Sequence, residues 1–226
     1  MALTLTTTRN PDPHPTMPTK HLTDYCVPNV PEGTAGPWTI DSFTVTEAEA
    51  RIHRLRCAVQ GMPGRAVCAG TFKRLRNAEA VVMSDTPAEI RDHLPLFTRM
   101  KLGQRVLIHG LGIGCAVEAG IQAGVDTIDV VERDADIIAL VGDYYRDRAA
   151  EAGTLLNIHR GDALTFRFPA GQRWDLAWHD IWTYISEDNL PEMATLHRRY
   201  GSRVGWQGSW ARPECEGLRA GYRYNY

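Results

Sequence analysis

A buried strand that runs into three alternate glycines, followed by a helix and a second buried strand closing on an acid, constrains this chain more than any other feature. The segment reads Arg105-Val-Leu-Ile-His109, then Gly110-Leu-Gly112-Ile-Gly114, then a helical pattern from Cys115, then Thr127-Ile-Asp-Val-Val-Glu132. Near-continuous apolar strands belong to parallel sheets covered on both faces. Glycines let backbone approach a ligand with no Cβ in the way. An acid ending the next parallel strand can accept hydrogen bonds from ribose hydroxyls. With the glycines 18 to 22 residues ahead of Glu132, the order predicts a nucleoside-binding α/β fold.

From Arg105 onward strands and helices alternate, as crossover connections in a parallel sheet require. Strands are expected at 105–109, 127–132, 155–159, 174–179 and 203–207, with helices near 115–123, 135–152 and 187–200. A short helix is expected at 213–220, and the Phe/Pro-rich stretch 162–173 is too short for a full one. Ahead of this region, Thr46 with Glu49 and Thr86 with Glu89 form capping boxes. Pro87 stands at a first helical position and Pro95 should end or kink that helix. Ile52, Leu55 and Val59 make the apolar stripe of the earlier helix. Two short strands, 70–75 and 80–83, lie between the two helices, after a break at Gly61 to Gly64. Residues 1–37 hold seven of the 13 prolines and few large apolar side chains, so order is expected to begin at Trp38. The expected organisation is a disordered tail at 1–37, a strand and helix extension at 38–100, and a Rossmann-like domain at 101–226.

A net charge of −2 argues against a protein that coats nucleic acid, although Arg51, Arg54, Lys73, Arg74 and Arg76 cluster locally. Five dispersed cysteines without metal-ligand spacing suit a reducing cytoplasm and predict no metal site. There is no apolar run long enough to span a bilayer, and the N-terminus lacks the pattern of a secretory signal. A cytoplasmic protein is expected.

The dinucleotide fingerprint wants Gly-x-Gly-x-x-Gly, but here Cys115 stands where its third glycine would be. The Gly-x-Gly-x-Gly form with a strand-ending Glu instead resembles class I S-adenosylmethionine-dependent methyltransferases. Residues 70–207 resemble their spermidine synthase-like branch through an upstream strand pair, His109-Gly-Leu-Gly-Ile-Gly114, Glu132-Arg133-Asp134, Gly161-Asp162-Ala163 and Asp180. The segments 188–193 and 206–210 are more loosely similar to uncharacterised bacteriophage methyltransferase-like proteins. The resemblance implies a doubly wound, mostly parallel sheet that binds S-adenosyl-L-methionine. His109, Gly110, Gly112 and Gly114 would follow its methionine part, Glu132 and Arg133 its ribose, and Gly161, Asp162 and Ala163 its adenine. Asp85, leading into the helix just before the sheet, would line the pocket, though a helix cap explains the same residue and is the favoured reading.

The fourth strand ends in His179-Asp180-Ile181-Trp182, aimed at the carboxyl side of the sheet where ligands of open α/β folds bind. Asp180 could hold the methionine ammonium or accept a proton from a nucleophile. His179 could act as a base, and Trp182 with Tyr184 could pack on a cation or planar substrate. Each also has a plain structural reading, as a cap, a satisfied histidine or core packing. The leading expectation is methyl transfer to an unidentified small molecule or protein, with DNA disfavoured because no Asp/Asn-Pro-Pro-Tyr or Pro-Cys motif is present. Aminopropyl transfer and a non-catalytic binding protein are the alternatives. Only about 20 residues follow Gln207, so the usual antiparallel sheet edge is expected to be missing, leaving the substrate wall to the N-terminal strands, the loop after Asp180 or a second subunit of a homodimer.

Overall fold

The apolar strands assemble into one five-stranded sheet. The computed structural model of the chain describes residues 22–25, 27, 29–59 and 65–221. Strands β5 (Arg105–His109), β6 (Thr127–Glu132), β7 (Leu155–Arg160), β8 (Trp174–His179) and β9 (Val204–Ser209) lie in the order β7-β6-β5-β8-β9. Every pairing is parallel. Helices α3 (Cys115–Gln122), α4 (Ala135–Ala152) and α5 (Leu190–Tyr200) make the crossovers. Strand β9 is an outer strand of the sheet, and helix α6 (Arg212–Arg219) follows it. The chain winds outward from β5 to β7 and then returns to the other side of β5 at β8. Such a reversal opens a crevice beyond the strand ends.

A second, antiparallel sheet has the order β1-β2-β3-β4: β1 (Gly33–Ala35), β2 (Trp38–Val45), β3 (Gly70–Arg76) and β4 (Val81–Ser84). Helix α1 (Glu47–Val59) joins β2 to β3, and α2 (Pro87–Phe97) leads from β4 to the parallel sheet. The Thr46–Glu49 box forms reciprocally, Glu49 accepting from the Thr46 amide at 2.8 Å and donating its own amide to the Thr46 hydroxyl at 3.2 Å. The expected second box does not form: Thr86 makes no side-chain cap, and Glu89 reaches further back to the Ser84 amide at 2.6 Å. Helix α2 continues only two residues beyond Pro95. The two sheets share a core, and the Trp38 indole N–H donates to Asp134 ahead of α4 at 2.6 Å.

Two expectations are corrected. Order does not begin at Trp38: β1 pairs with β2 by a hairpin through Gly36, and Val27 and Val30 are buried in the main core. Two valines and the Val27 amide, bonded to Asp85 at 2.8 Å, are enough to strap this Pro-rich stretch down. Residues 1–21 and the expected break at Gly61 to Gly64 lie outside the described residues. In α1 the stripe Ile52, Leu55 and Val59 is exposed (52%, 63% and 87%), while Ala50 and Cys57 face inward. The small side chains, not the large ones, form the buried face. Among the described residues no helix is long and apolar enough to cross a membrane.

The sheet closes most tightly where β5 and β8 end side by side. The Asp180 amide donates to the His109 carbonyl at 2.9 Å, and Gly110 follows with φ +91°. A Cβ there would collide with the Asp180 carbonyl oxygen, a backbone atom that cannot step aside. Gly153, with φ +77° at the end of α4, has open space around it. Gly110→Ala is therefore expected to lower stability by about 2–4 kcal/mol, combining left-handed strain with overpacking, and Gly153→Ala by about 1 kcal/mol. Urea unfolding of the two variants checks this; equal losses would contradict the crowding at Gly110.

Candidate functional site

A cavity of about 270 Å³ opens at the carboxyl ends of the parallel strands, roofed by Leu75, Val82 and Met83 of the antiparallel sheet. That is near the lower end for small-molecule sites. Its floor comes from four strand ends. Gly110, Leu111 and Gly112 follow β5, Glu132 to Asp134 end and follow β6, Gly161 to Leu164 follow β7, and Asp180 to Thr183 follow β8. Helix α2 adds Glu89 and His93, and Trp38, Glu192 and Trp210 complete the wall.

The glycines are required first by the protein's own packing. Gly112 faces the Met83 sulfur and Gly114 faces the ring of Tyr145, whose hydroxyl donates to the Ile113 carbonyl at 2.8 Å. Gly110 and Gly112 line the cavity; Gly114 begins α3 below it. Glu132 is 6% exposed, and its two oxygens accept from the amides of Leu111 and Asp134, each at 2.8 Å. An ionised carboxylate offers about four acceptor directions, so each oxygen can still receive a ligand hydroxyl. Asp134 caps α4 by accepting from the Asp136 amide at 2.9 Å. Asp162 accepts from the Leu164 amide at 2.7 Å, which fixes the turn around Ala163 and packs Phe166 on Gly161.

Among the side chains lining the cavity, Asp180 is the most strongly shifted. Burial, reinforced by Glu89, Asp92 and Glu132, pushes its carboxyl up to about 8. His93 is 2% exposed, with Nε2 3.8 Å from the Asp180 carboxylate and Nδ1 without a hydrogen-bond partner. Burial holds it down at about 4, so it is neutral. Burial also raises Glu89, and it raises Asp92, which is paired with Arg65 at 2.5 Å. Six carboxylates line the cavity (Glu89, Glu132, Asp134, Asp162, Asp180 and Glu192) against a single guanidinium, Arg133. The chamber is strongly acidic.

Of the residues singled out in the sequence, Gly110, Gly112, Glu132, Arg133, Gly161, Asp162, Ala163, Asp180 and Trp182 are brought together on its wall. Trp182 is held by its indole N–H donating to Glu192 at 2.8 Å, whereas Tyr184 is 65% exposed. The structure does not bring in Asp85, His109 or His179. Asp85 is 1% exposed and accepts from the amides of Val27 and Lys73, pinning the N-terminal strap to β3. His109 and His179 are fully buried, joined through their Nδ1 atoms at 2.7 Å, and α5 covers them with Tyr200 4.8 Å from the His109 ring. Burial keeps His179 near 3, where it bonds Gln207 at 3.2 Å and cannot reach a substrate. Glu89 and His93 were missed. Their i, i+4 spacing puts them on one face of α2, but only the docking of that helix turns the face to the cavity. Among the described residues no group of three or more His, Cys, Asp or Glu side chains could hold a metal ion.

No family model and no curated protein matches the chain. Solved structures similar to part of it include a dimethyladenosine transferase from Plasmodium falciparum, at 21% identity over 48% of this chain and 36% of that one, with TM-score 0.36. The CcbJ methyltransferase from Streptomyces caelestis matches at 20% identity over 51% and 45%, with TM-score 0.38. Phosphoethanolamine N-methyltransferase 1 from Haemonchus contortus matches at 17% over 51% and 23%, with TM-score 0.38. This chain thus spans less than half the length of each. Likeness at this level assigns no activity to it.

The shifted groups have opposite consequences for stability. The Asp180 carboxyl ionises near 3.8 when unfolded and at about 8 when folded, so the fold holds that proton more tightly. Its contribution is complete below about pH 4 and is lost as pH rises to about 8. His93 and His179, near 4 and 3 in the fold against 6.5 unfolded, contribute above pH 6.5 and lose it as pH falls. Asp180→Asn removes only the first effect. It is expected to stabilise the chain by about 1–3 kcal/mol at pH 7.5 and by almost nothing at pH 4. Urea unfolding at both pH values checks this, and a difference independent of pH would contradict it.

Proposed function

We propose that the cavity binds S-adenosyl-L-methionine and that the protein transfers its methyl group to a small-molecule or protein acceptor. The observation that carries this reading is the charge of the wall combined with the order of its acids. Asp162, Glu132 and the glycine turn line up across β7, β6 and β5, as an adenosine and its side chain would lie. A pyrophosphate-bearing dinucleotide would face six acidic side chains with one arginine; a nucleoside carrying a sulfonium and an ammonium against one carboxylate, net positive, is the better complement. Cys115 in place of the third dinucleotide glycine agrees.

In this reading the Glu132 oxygens accept the two ribose hydroxyls while keeping their amide donors. Asp162 accepts from the adenine amino group, with the Ala163 amide beside it. The glycine turn passes along the methionine part, and Arg133 flanks the ribose. The bound sulfonium supplies an already activated methyl group. The chain's task is then to orient the acceptor in line and exclude water. Trp182, fixed by Glu192, walls the chamber beside Asp180. Aminopropyl transfer would instead require a preference for decarboxylated S-adenosylmethionine.

Calorimetry tests the assignment. S-adenosylmethionine and S-adenosylhomocysteine are expected to bind and NADH is not. Glu132→Gln, which replaces a carboxylate acceptor by a neutral amide, should weaken binding about tenfold or more. Binding of NADH alone, or unchanged affinity in Glu132→Gln, contradicts the assignment. Tighter binding of the decarboxylated form shifts it to aminopropyl transfer.

A further inference from the structure

One end of the cavity is left over once an adenosine moiety is laid across β7 and β6 and its side chain along β5. Next in the sheet stands β8, and there Glu89 and His93 of α2 face Asp180. We infer that this end is the acceptor subsite and that it takes a basic amine, bound as its ammonium ion and methylated at nitrogen. The inference rests on the methyltransferase reading and names the substrate class for it.

Three independent features converge on a cation. The first is charge: Glu89 and Asp180 line this end, while the cavity's one guanidinium, Arg133, stands on the β6 side and Arg65 is engaged with Asp92. Two buried carboxyls, both pushed upward by burial and by neighbouring acids, are relieved when a positive group comes between them. The second is His93. It lines the cavity at 2% exposure, and its Nδ1, without a partner, can accept from a ligand N–H when the ring is neutral. The third is aromatic. Trp182 and Trp210 face the same chamber, and indole faces attract ammonium groups. Glu89 accepts from the Ser84 amide at 2.6 Å and also bonds the Ser84 side chain, which fixes its carboxyl in place at this end.

The reaction balances without a further reagent. Binding of the ammonium beside Asp180 releases that group's own proton to water, and the resulting carboxylate then takes one proton from the ammonium. The amine lone pair then forms the N–C bond as the C–S bond breaks, its electron pair going to sulfur. The products are a methylammonium ion and a neutral thioether, and Asp180 ends protonated, as it began. Neutral His93 stands beside this group, 3.8 Å from the Asp180 carboxyl.

The test uses the full chain saturated with S-adenosylhomocysteine, whose own binding is measured first. Benzylamine, benzyl alcohol and benzoate, similar in size and different in charge, are then titrated by calorimetry. Benzylamine is expected to bind about tenfold tighter than benzyl alcohol, and benzoate not measurably. Glu89→Gln should remove most of that preference while binding S-adenosylhomocysteine within about twofold of the original. Asp180→Asn should also remove most of that preference and carries the test if Glu89→Gln does not fold. Equal affinity for amine and alcohol, a preference for benzoate, or no binding of any of the three overturns the proposal. Failure to bind S-adenosylhomocysteine overturns the reading beneath it instead.

Discussion

The structure turns on the Glu132 carboxylate. Buried at the end of β6, it takes one amide from the turn after β5 and one from the turn after β6, so a single side chain fixes two loops of the floor. A buried acid would be costly without such donors, and without the acid the amides of Leu111 and Asp134 would lose their acceptors. The next residue in that chain of contacts, Asp134, caps α4 and accepts the Trp38 indole, which ties the antiparallel sheet over the cavity. Floor, helix and roof are therefore linked through two neighbouring carboxylates.

From this frame follows an acidic chamber that the fold tolerates at some expense. Asp180 is held in the chamber's floor by the β5–β8 contact at Gly110, in a place where burial and three neighbouring acids oppose its ionisation. Groups shifted this far are commonest at working sites. The same charge would repel a pyrophosphate ligand and attract a cationic one.

Much of the floor was legible in the sequence because strand ends are readable from apolar runs, and parallel pairing aligns those ends. Gly110, Glu132, Asp162 and Asp180 could be placed on one side of the sheet for that reason alone. What failed were judgements that depend on what packs above a strand end. His109 and His179 sit at such ends, yet α5 lays Tyr200 over them. Asp85 was read as a pocket residue, while the Val27 amide claims it from 58 positions away. Glu89 and His93 went unseen because the capping-box pattern gave Glu89 another purpose and nothing local says which neighbour α2 meets. The strap through Val27 and Val30 was obscured by its prolines, which dilute an apolar signal carried by two residues.

The central claim is that Glu132 and Asp162 hold an adenosine while its sulfur side faces Asp180. A crystal structure of the complex with S-adenosylhomocysteine measures this most directly. The account predicts both ribose hydroxyls within hydrogen-bond distance of the Glu132 oxygens, the adenine amino group on Asp162, and the sulfur between the glycine turn and Asp180. A nucleoside bound elsewhere, or in the opposite direction across the strand ends, would contradict it.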